Sequence, residues 1–271
     1  MKKGITVTLI VAAVLFVVGG SLCVISLAGV GWNLKALSTE EPLRSRSVSY
    51  PLQETTSIVI EDRNNDIIIK ETQGDQIIVT CWENNNKSYN IFLADGQLEI
   101  KYQDPQEWFH FFTFGFWDDR TLVVEIPSGY RGSIEADTSN GSVEAAGLST
   151  EANLYLETSN AKIQLKNVHT TGKAELKTTN GKITLENVSA EKKITADTSN
   201  ADIEVKAISA PGIFLDTSNG DIEGTILGSL NDYTISSHTS NGSNNLPASY
   251  NAGPGELSVT TSNADIEILF R

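Results

Sequence analysis

Residues 174–205 read AELKTTNGKITLENVSAEKKITADTSNADIEV. One pattern occurs twice in them: an alternating apolar run, a Thr, one more hydroxyl residue, an Asn, then Gly or Ala and a second alternating run. The motif Thr-Ser-Asn-Gly/Ala also stands at residues 138–141, 158–161, 217–220, 239–242 and 261–264, and its copy at 178–181 is Thr-Thr-Asn-Gly. The asparagines are Asn140, Asn160, Asn180, Asn200, Asn219, Asn241 and Asn263, with steps of 20, 20, 20, 19, 22 and 22 residues. A short period held this long marks a repeat architecture, in which one repeat is one coil and buries its apolar face only against its neighbours.

The positions around each Asn specify the coil. Six and four residues before it stand pairs such as Ile134 and Ala136, Leu154 and Leu156, and Ile194 and Ala196. Three and five residues after it stand Val143 and Ala145, Ile163 and Leu165, Ile183 and Leu185. Charged and hydroxyl residues fill the places between. This period of two is that of a strand with one buried face. The parity flips just after the Asn, and a bend with φ > 0 at Asn or Gly would account for it. A third apolar position follows eight residues after the Asn, at Leu148, Val168, Val188, Ile208 and Leu227, and predicts a short third side. Weaker copies run through Ile58, Ile60, Asn64, Ile67 and Ile69, and through Tyr89, Ile91, Leu93, Asp95-Gly96, Leu98 and Ile100. The expected fold is all-β, a right-handed parallel β-helix over residues 57–271, with right-handed connections as parallel strands prefer. Roughly nine coils spaced about 4.8 Å apart would give a rod about 40 Å long.

Residues 1–56 read differently. Lys2 and Lys3 precede an uncharged apolar run over residues 5–30, followed by Trp32 and Lys35. About 20 such residues cross a bilayer. The expectation is a single-pass cell-membrane anchor with residues 1–4 as a cytoplasmic tail and the repeats extracytoplasmic. A cleaved signal peptide competes, because Ser26-Leu27-Ala28 resembles a cleavage site, but the run is long for one. Residues 31–56, rich in Ser, Thr, Glu and Arg with Pro42 and Pro51, read as a stalk.

Composition narrows the chemistry. The chain has 34 acidic and 20 basic residues, for a formal charge of −14. Lys2, Lys3 and Lys35 lie before the repeats, so the repeats are more acidic still. Such a surface repels nucleic acid, and no nucleic-acid partner is expected. Cys23 and Cys81 are the two cysteines, one in the apolar run and one in a predicted strand, so the repeats carry no internal disulfide. His110, His169 and His238 lack metal-ligand spacing. No nucleophile elbow or phosphate loop occurs. No catalytic residue, cofactor or metal is assigned. Asp202, Asp221 and Asp265, each two residues after its Asn, could line one edge for a divalent cation. Ser142, Lys162, Lys182 and Ser243 hold that place in other coils, which argues against it. The Asn ladder admits a row of ligand sites or a structural role in which stacked amides bond coil to coil; a motif repeated this often favours the structural one.

One segment breaks the pattern. In residues 105–119 stand Trp108, Phe109, Phe111, Phe112, Phe114, Phe116 and Trp117. Either these rings cap the open end of the stack, or they form a contact loop for a membrane interface or a partner.

The segments DTSNG, ETSNA and TTNGK behind an apolar N-terminal run resemble a bacterial family of candidate adhesins, cell-surface proteins of β-strand repeats. The resemblance covers about residues 57–271 and rests on order, period and turn residues together. It implies an extracytoplasmic right-handed β-helix and brings no catalytic residues. Some relatives are similar to products of cell-envelope stress operons. The expected function is therefore non-enzymatic: a membrane-anchored adhesin or envelope-associated interaction protein whose partner is a cell-wall component or a membrane protein. Two alternatives are a carbohydrate-active β-helix enzyme and an accessory protein of an envelope-stress sensor. The first would need paired carboxylates in a groove of long loops, and these coils are short and uniform.

Overall fold

The structure is a computed structural model that describes residues 2–29, 31, 42–85, 87–103 and 121–271. The chain divides into two units. The first contains a helix, Lys2–Gly29; the second is an all-β domain.

The helix covers the segment expected to be a membrane anchor. Its side chains are described at residues 12, 14–22, 24–26, 28 and 29, and among the described residues no helix is long and apolar enough to cross a membrane. This corrects the expected localisation as a single-pass protein anchored in the cell membrane.

In the β-domain, each coil is a strand entering the Asn corner and a strand leaving it. The entering strands form one sheet, here the upstream sheet, and the leaving strands form the downstream sheet; each is 11-stranded. Ser133–Thr138 and Val143–Ala146 flank Asn140, and Leu154–Thr158 and Ile163–Thr170 flank Asn160. Lys173–Thr178 and Ile183–Ala190 flank Asn180, and Lys193–Asp197 and Ile203–Ile208 flank Asn200. Gly212–Asp216 and Ile222–Ile226 flank Asn219. Pairing between these coils is parallel and joins equivalent residues: Leu156 with Leu176, Ile163 with Ile183, Ile183 with Ile203. The inward residues of both sheets meet in one core, where Ile163, Leu165, Ile183, Leu185 and Ile203 are fully buried.

The corner is held by its Thr. Thr158 Oγ1 donates to the Gly141 carbonyl at 2.9 Å, Thr198 to Gly181 at 3.0 Å, and Thr261 to Gly220 at 3.0 Å. These hydroxyls are buried, so each supplies a donor where water cannot. The pattern changes at the Asn64 coil, Ser57–Glu61 and Ile67–Thr72, where Asp62 replaces the Thr. Its Oδ1 accepts the amides of Arg63, Asn64 and Asn65 at 2.6–3.1 Å, and its Oδ2 accepts the Tyr89 hydroxyl. Thr138 faces this altered corner, and its Oγ1 is buried without a partner.

The bend expected from φ > 0 at the motif lies elsewhere. None of the motif asparagines or glycines is among the positive-φ residues; Gly147, Asn167, Asn187 and Ala207 are, at φ 53–68°, where the chain turns onto the short third side. The motif glycines serve close approach instead. A Cβ on Gly141 would stand 1.9 Å from the Asn65 carbonyl oxygen, on Gly181 1.6 Å from that of Ala161, on Gly220 1.9 Å from that of Ala201, and on Gly242 2.0 Å from that of Ala264. On the third side, Leu148, Val168, Val188 and Ile208 are buried, but Leu227 is 46% exposed. Ile226 takes its place, paired with Ile208, because the register slips between Val205 and Ile208. The Asn219 coil is one residue shorter up to this point.

At both ends, spatial order departs from sequence order. After Ile222–Ile226 the chain skips a level through Gly228 and a turn capped by Ser229 and Asp232, then forms Tyr233–His238. The vacant level is filled by the last coil, Gly255–Thr260 and Ile266–Phe270, which pairs with the Asn219 coil on one side. On its other side it pairs with Tyr233–His238 and with Asn244. The N-terminal end repeats the device: the Asn64 coil lies between the Asn140 coil and a later coil of Gln97–Gln103 and Leu122–Pro127. The motif confirms the order. Along the stack the residue after the Asn runs Gly141, Ala161, Gly181, Ala201, Gly220, Ala264, Gly242, so Gly and Ala alternate in space though not in sequence.

The end edges are closed by other means. Residues 89–100, read above as a coil, are an antiparallel hairpin: Ser88–Ala94 returns as Gln97–Gln103. Asp95 and Gly96 both have positive φ, the two-residue turn that reverses a strand within one sheet. Arg44–Pro51, inside the segment expected as a stalk, is a strand paired antiparallel with Gln76–Glu83. Their side chains satisfy the edge backbone of the hairpin: Glu83 accepts the Tyr89 amide at 2.7 Å, Arg46 donates to its carbonyl at 3.2 Å, and Tyr50 donates to the Ile91 carbonyl at 2.9 Å. At the other end, Asn245 mimics a peptide, accepting the Ile268 amide at 3.0 Å and donating to its carbonyl at 2.9 Å. Covered edges do not template pairing with other chains.

Three outcomes follow from this packing. Gly181→Ala should lower stability by about 3 kcal/mol through overpacking, whereas Ala161→Gly should lose only about 1 kcal/mol; urea midpoints compare them. Ala207→Gly should gain roughly 0.5–1 kcal/mol, since left-handed φ strains Ala more than the added chain entropy costs. In hydrogen exchange, amides of the sandwiched last coil should be protected within about tenfold of the Asn180 coil. Much faster exchange there would mean the chain end frays as in a simple linear repeat.

Candidate functional site

The seven corner asparagines are exposed and form one ladder. Asn140 Nδ2 donates to Asn64 Oδ1 at 2.7 Å, Asn160 to Asn140 at 2.8 Å, Asn180 to Asn160 at 2.8 Å and Asn200 to Asn180 at 2.9 Å. The ladder continues from Asn219 to Asn200 at 3.0 Å, Asn263 to Asn219 at 2.8 Å and Asn241 to Asn263 at 2.9 Å, in the swapped order of the coils. Several of these amides also donate to a backbone carbonyl of the neighbouring coil, as Asn160 does to Ser139 at 3.2 Å. Little bonding capacity is left for a ligand.

The aspartates considered for a cation are spent in the same way. Asp202 Oδ1 accepts the Asp221 amide at 3.0 Å, Asp221 accepts that of Asp265 at 2.9 Å, and Asp265 accepts that of Ser243 at 2.6 Å. Among the described residues no group of His, Cys, Asp and Glu could hold a metal ion. His169 Nδ1 lies 2.8 Å from Ser189 Oγ, but both sit in an outward row with Ser149 and Ser209. No carboxylate orients the ring there, so the pair lacks the relay a nucleophile needs. The aromatic candidates Trp108, Phe109, Phe111, Phe112, Phe114, Phe116 and Trp117 lie outside the described residues.

A concave site that the sequence did not reveal lies on the described surface. It is a groove of about 540 Å³ on the outer face of the downstream sheet, spanning the coils of Asn180, Asn200, Asn219 and Asn263. Gly224 forms its floor, with φ 137° and no room for a Cβ, which would stand 1.7 Å from the Val205 carbonyl oxygen. That glycine is where the register slips. A glycine inside a strand marks a bulge or a close approach, and it coincides with the 19-residue step; together they were the available sequence signal.

Two outward rows line the groove. In one, Thr184, Glu204, Glu223 and Glu267 are successive register partners, so three carboxylates stand at strand spacing, about 4.8 Å. In the other lie Glu186 and Lys206, then Thr225 and Leu269. The charges nearer the middle of the stack are paired. Lys182 meets Glu204 at 2.6 Å, and Lys166 and Lys206 meet Glu186 at 3.2 and 3.1 Å. These contacts hold the Glu204 and Glu186 carboxyls below their usual range, through the lysine hydrogen bonds. Toward the C-terminal end the pairing stops. Glu223 is held above the carboxylate range, first by desolvation and then by the neighbouring Glu204. Among the described residues Glu223, Glu267 and the Arg271 side chain form no close ion pair, but Glu223 leans on the Lys182–Glu204 pair: it is in hydrogen-bond contact with Glu204 and feels the Lys182 charge. Leu269, 49% exposed, stands between Glu267 and Arg271 in the groove lining.

No curated protein matches the chain in sequence. Among solved structures, the chain is similar to a candidate cell adhesion protein from Clostridium sporogenes, with 10% identity over 84% of this chain and 100% of that one, at a TM-score of 0.41. It is also similar to a candidate adhesin from Parabacteroides merdae, with 13% identity over 83% and 96% at 0.42, and to one from Bacteroides fragilis, with 11% identity over 83% and 97% at 0.37. Likenesses at these scores carry no argument about the site. Residues 55–271 match the family model Toastrack DUF4097. By that match, over most of its length, the chain belongs to the Toastrack DUF4097 family.

Proposed function

We propose that the β-domain is a right-handed β-solenoid acting as a non-enzymatic, adhesin-like interaction protein, and that it takes its partner, a cell-wall component, on the outer face of the downstream sheet. The observation that carries this reading is the groove with Glu267 and Arg271 outside any ion pair at its C-terminal end and Glu223 beside them, next to coils whose charges are paired. Unpaired charge in a concavity is what a partner can complement, whereas exposed matched pairs offer little. Right-handedness is supported by the strong preference of parallel crossovers for that hand. The aromatic segment 105–119 is a second candidate contact, on its composition.

The test is co-sedimentation of the full chain with isolated cell walls. Saturable binding is expected, weakened about tenfold or more by Glu223→Lys with Glu267→Lys, as loss of a complementary charge contact implies. Retained binding in that variant, lost instead in Trp108→Ser with Phe112→Ser and Trp117→Ser, would move the contact to the aromatic segment. No saturable binding by the unmodified chain would overturn the cell-wall reading.

A further inference from the structure

The groove's open end has a definite charge layout. Glu267 and Leu269 alternate along the strand Ile266–Phe270, and Arg271 directly follows it; all three line the groove. Glu223 stands beside Glu267 as its register partner. One end of this face therefore carries the carboxylates, its middle is apolar, and its far end carries the Arg271 guanidinium. The backbone beneath is fixed: the Arg271 amide donates to the Ile226 carbonyl at 3.0 Å, and the Arg271 carbonyl accepts the Gly228 amide at 2.7 Å. Four residue steps of extended chain, from Glu267 to Arg271, separate the two ends by about 13 Å.

We infer that this end of the groove binds a short zwitterionic peptide, its ammonium between Glu223 and Glu267, its apolar side chains over Leu269 and its carboxylate on Arg271. The inference rests on the reading of the downstream sheet as the contact face. The layout selects against simpler ligands. A lone cation would use the two carboxylates and leave Arg271 unmatched, and a lone anion would do the reverse. A guanidinium favours a carboxylate because it can donate two parallel hydrogen bonds to it. Length is selected too: an extended peptide spans at most about 3.3–3.6 Å per residue, so about four residues bridge the two ends. Paired charges on the neighbouring coils, Lys182 with Glu204 and Glu186 with its two lysines, bound the site on the side toward the middle of the stack.

Tetraalanine with free ends is the probe, titrated into the full chain and followed by calorimetry, beside N-acetylated, C-amidated and doubly blocked forms. Saturable binding of the free peptide is expected, at least tenfold weaker when either end is blocked. Arg271→Gln should abolish the effect of amidation and leave that of acetylation, while Glu223→Gln with Glu267→Gln should do the opposite. Circular dichroism and the urea midpoint of each variant, unchanged, would show that folding is intact. Equal binding of free and doubly blocked peptide, or no binding of either, overturns the inference. Cell-wall sedimentation reads the broader proposal separately, since walls that bind in a Glu223- and Glu267-dependent way while tetraalanine does not would leave the contact face standing and remove the peptide.

Discussion

A carbonyl at each corner from Asn140 to Asn263, which finds its donor one strand-spacing away, is the constraint on which this molecule depends. The neighbouring coil's Thr answers it, with a hydroxyl short enough to reach and a branched body that packs in the core layer. An unanswered buried acceptor costs about 1–3 kcal/mol, so the motif cannot drift far in sequence. Once the Thr is fixed, the corner on its solvent side brings one Asn above another, and the ladder of exposed amides follows. The tightest contact of the corner falls at the next residue, where a Cβ on every second coil would strike a carbonyl. Thr, Asn and the Gly/Ala alternation are thus three consequences of one spacing.

The repeat made this core legible in the sequence. The alternating apolar positions on both sides of each Asn are the buried residues, and their register partners are the residues one repeat away. What misled was local. Asp95-Gly96 flips the apolar parity just as a corner does, so parity could not separate a hairpin from a coil; only the dipeptide's own preference could. Leu227 held the expected position by count, but the slip at Gly224 gave that place to Ile226. The order of the end coils was written in the motif, since Gly220 and Gly242 are consecutive in sequence and break an alternation that Ala264 restores in space. Spacing alone hides this, because a step of 22 residues looks like a slightly long coil.

The candidate site was harder to read, for a physical reason. Glu223, Glu267 and Arg271 are ordinary solvent-facing residues of ordinary strands. They stand out only when register shows which neighbours lack opposite charge. Ion pairs on this face, such as Lys182 with Glu204 and Lys206 with Glu186, join residues about one coil apart, and each is worth little alone. Together they leave the charges of the middle coils engaged with one another and those at one end less so. The aromatic cluster drew attention because composition is visible without a fold, whereas charge balance across coils is not.

The intercalated ends also set limits on how such a chain can change in length. A coil added after the last residue would have no free level to enter, since the final coil already lies beneath Tyr233–His238. One added before the Asn64 coil meets the same obstacle, because that coil is covered by Gln97–Gln103. Only between the Asn140 and Asn219 coils does each level hand on to the next in sequence order. Duplication or loss of a repeat is therefore confined to the interior, and there pairs keep the alternation: one coil gained or lost would set Gly beside Gly, at a small cost, or Ala beside Ala, where a Cβ would strike a carbonyl.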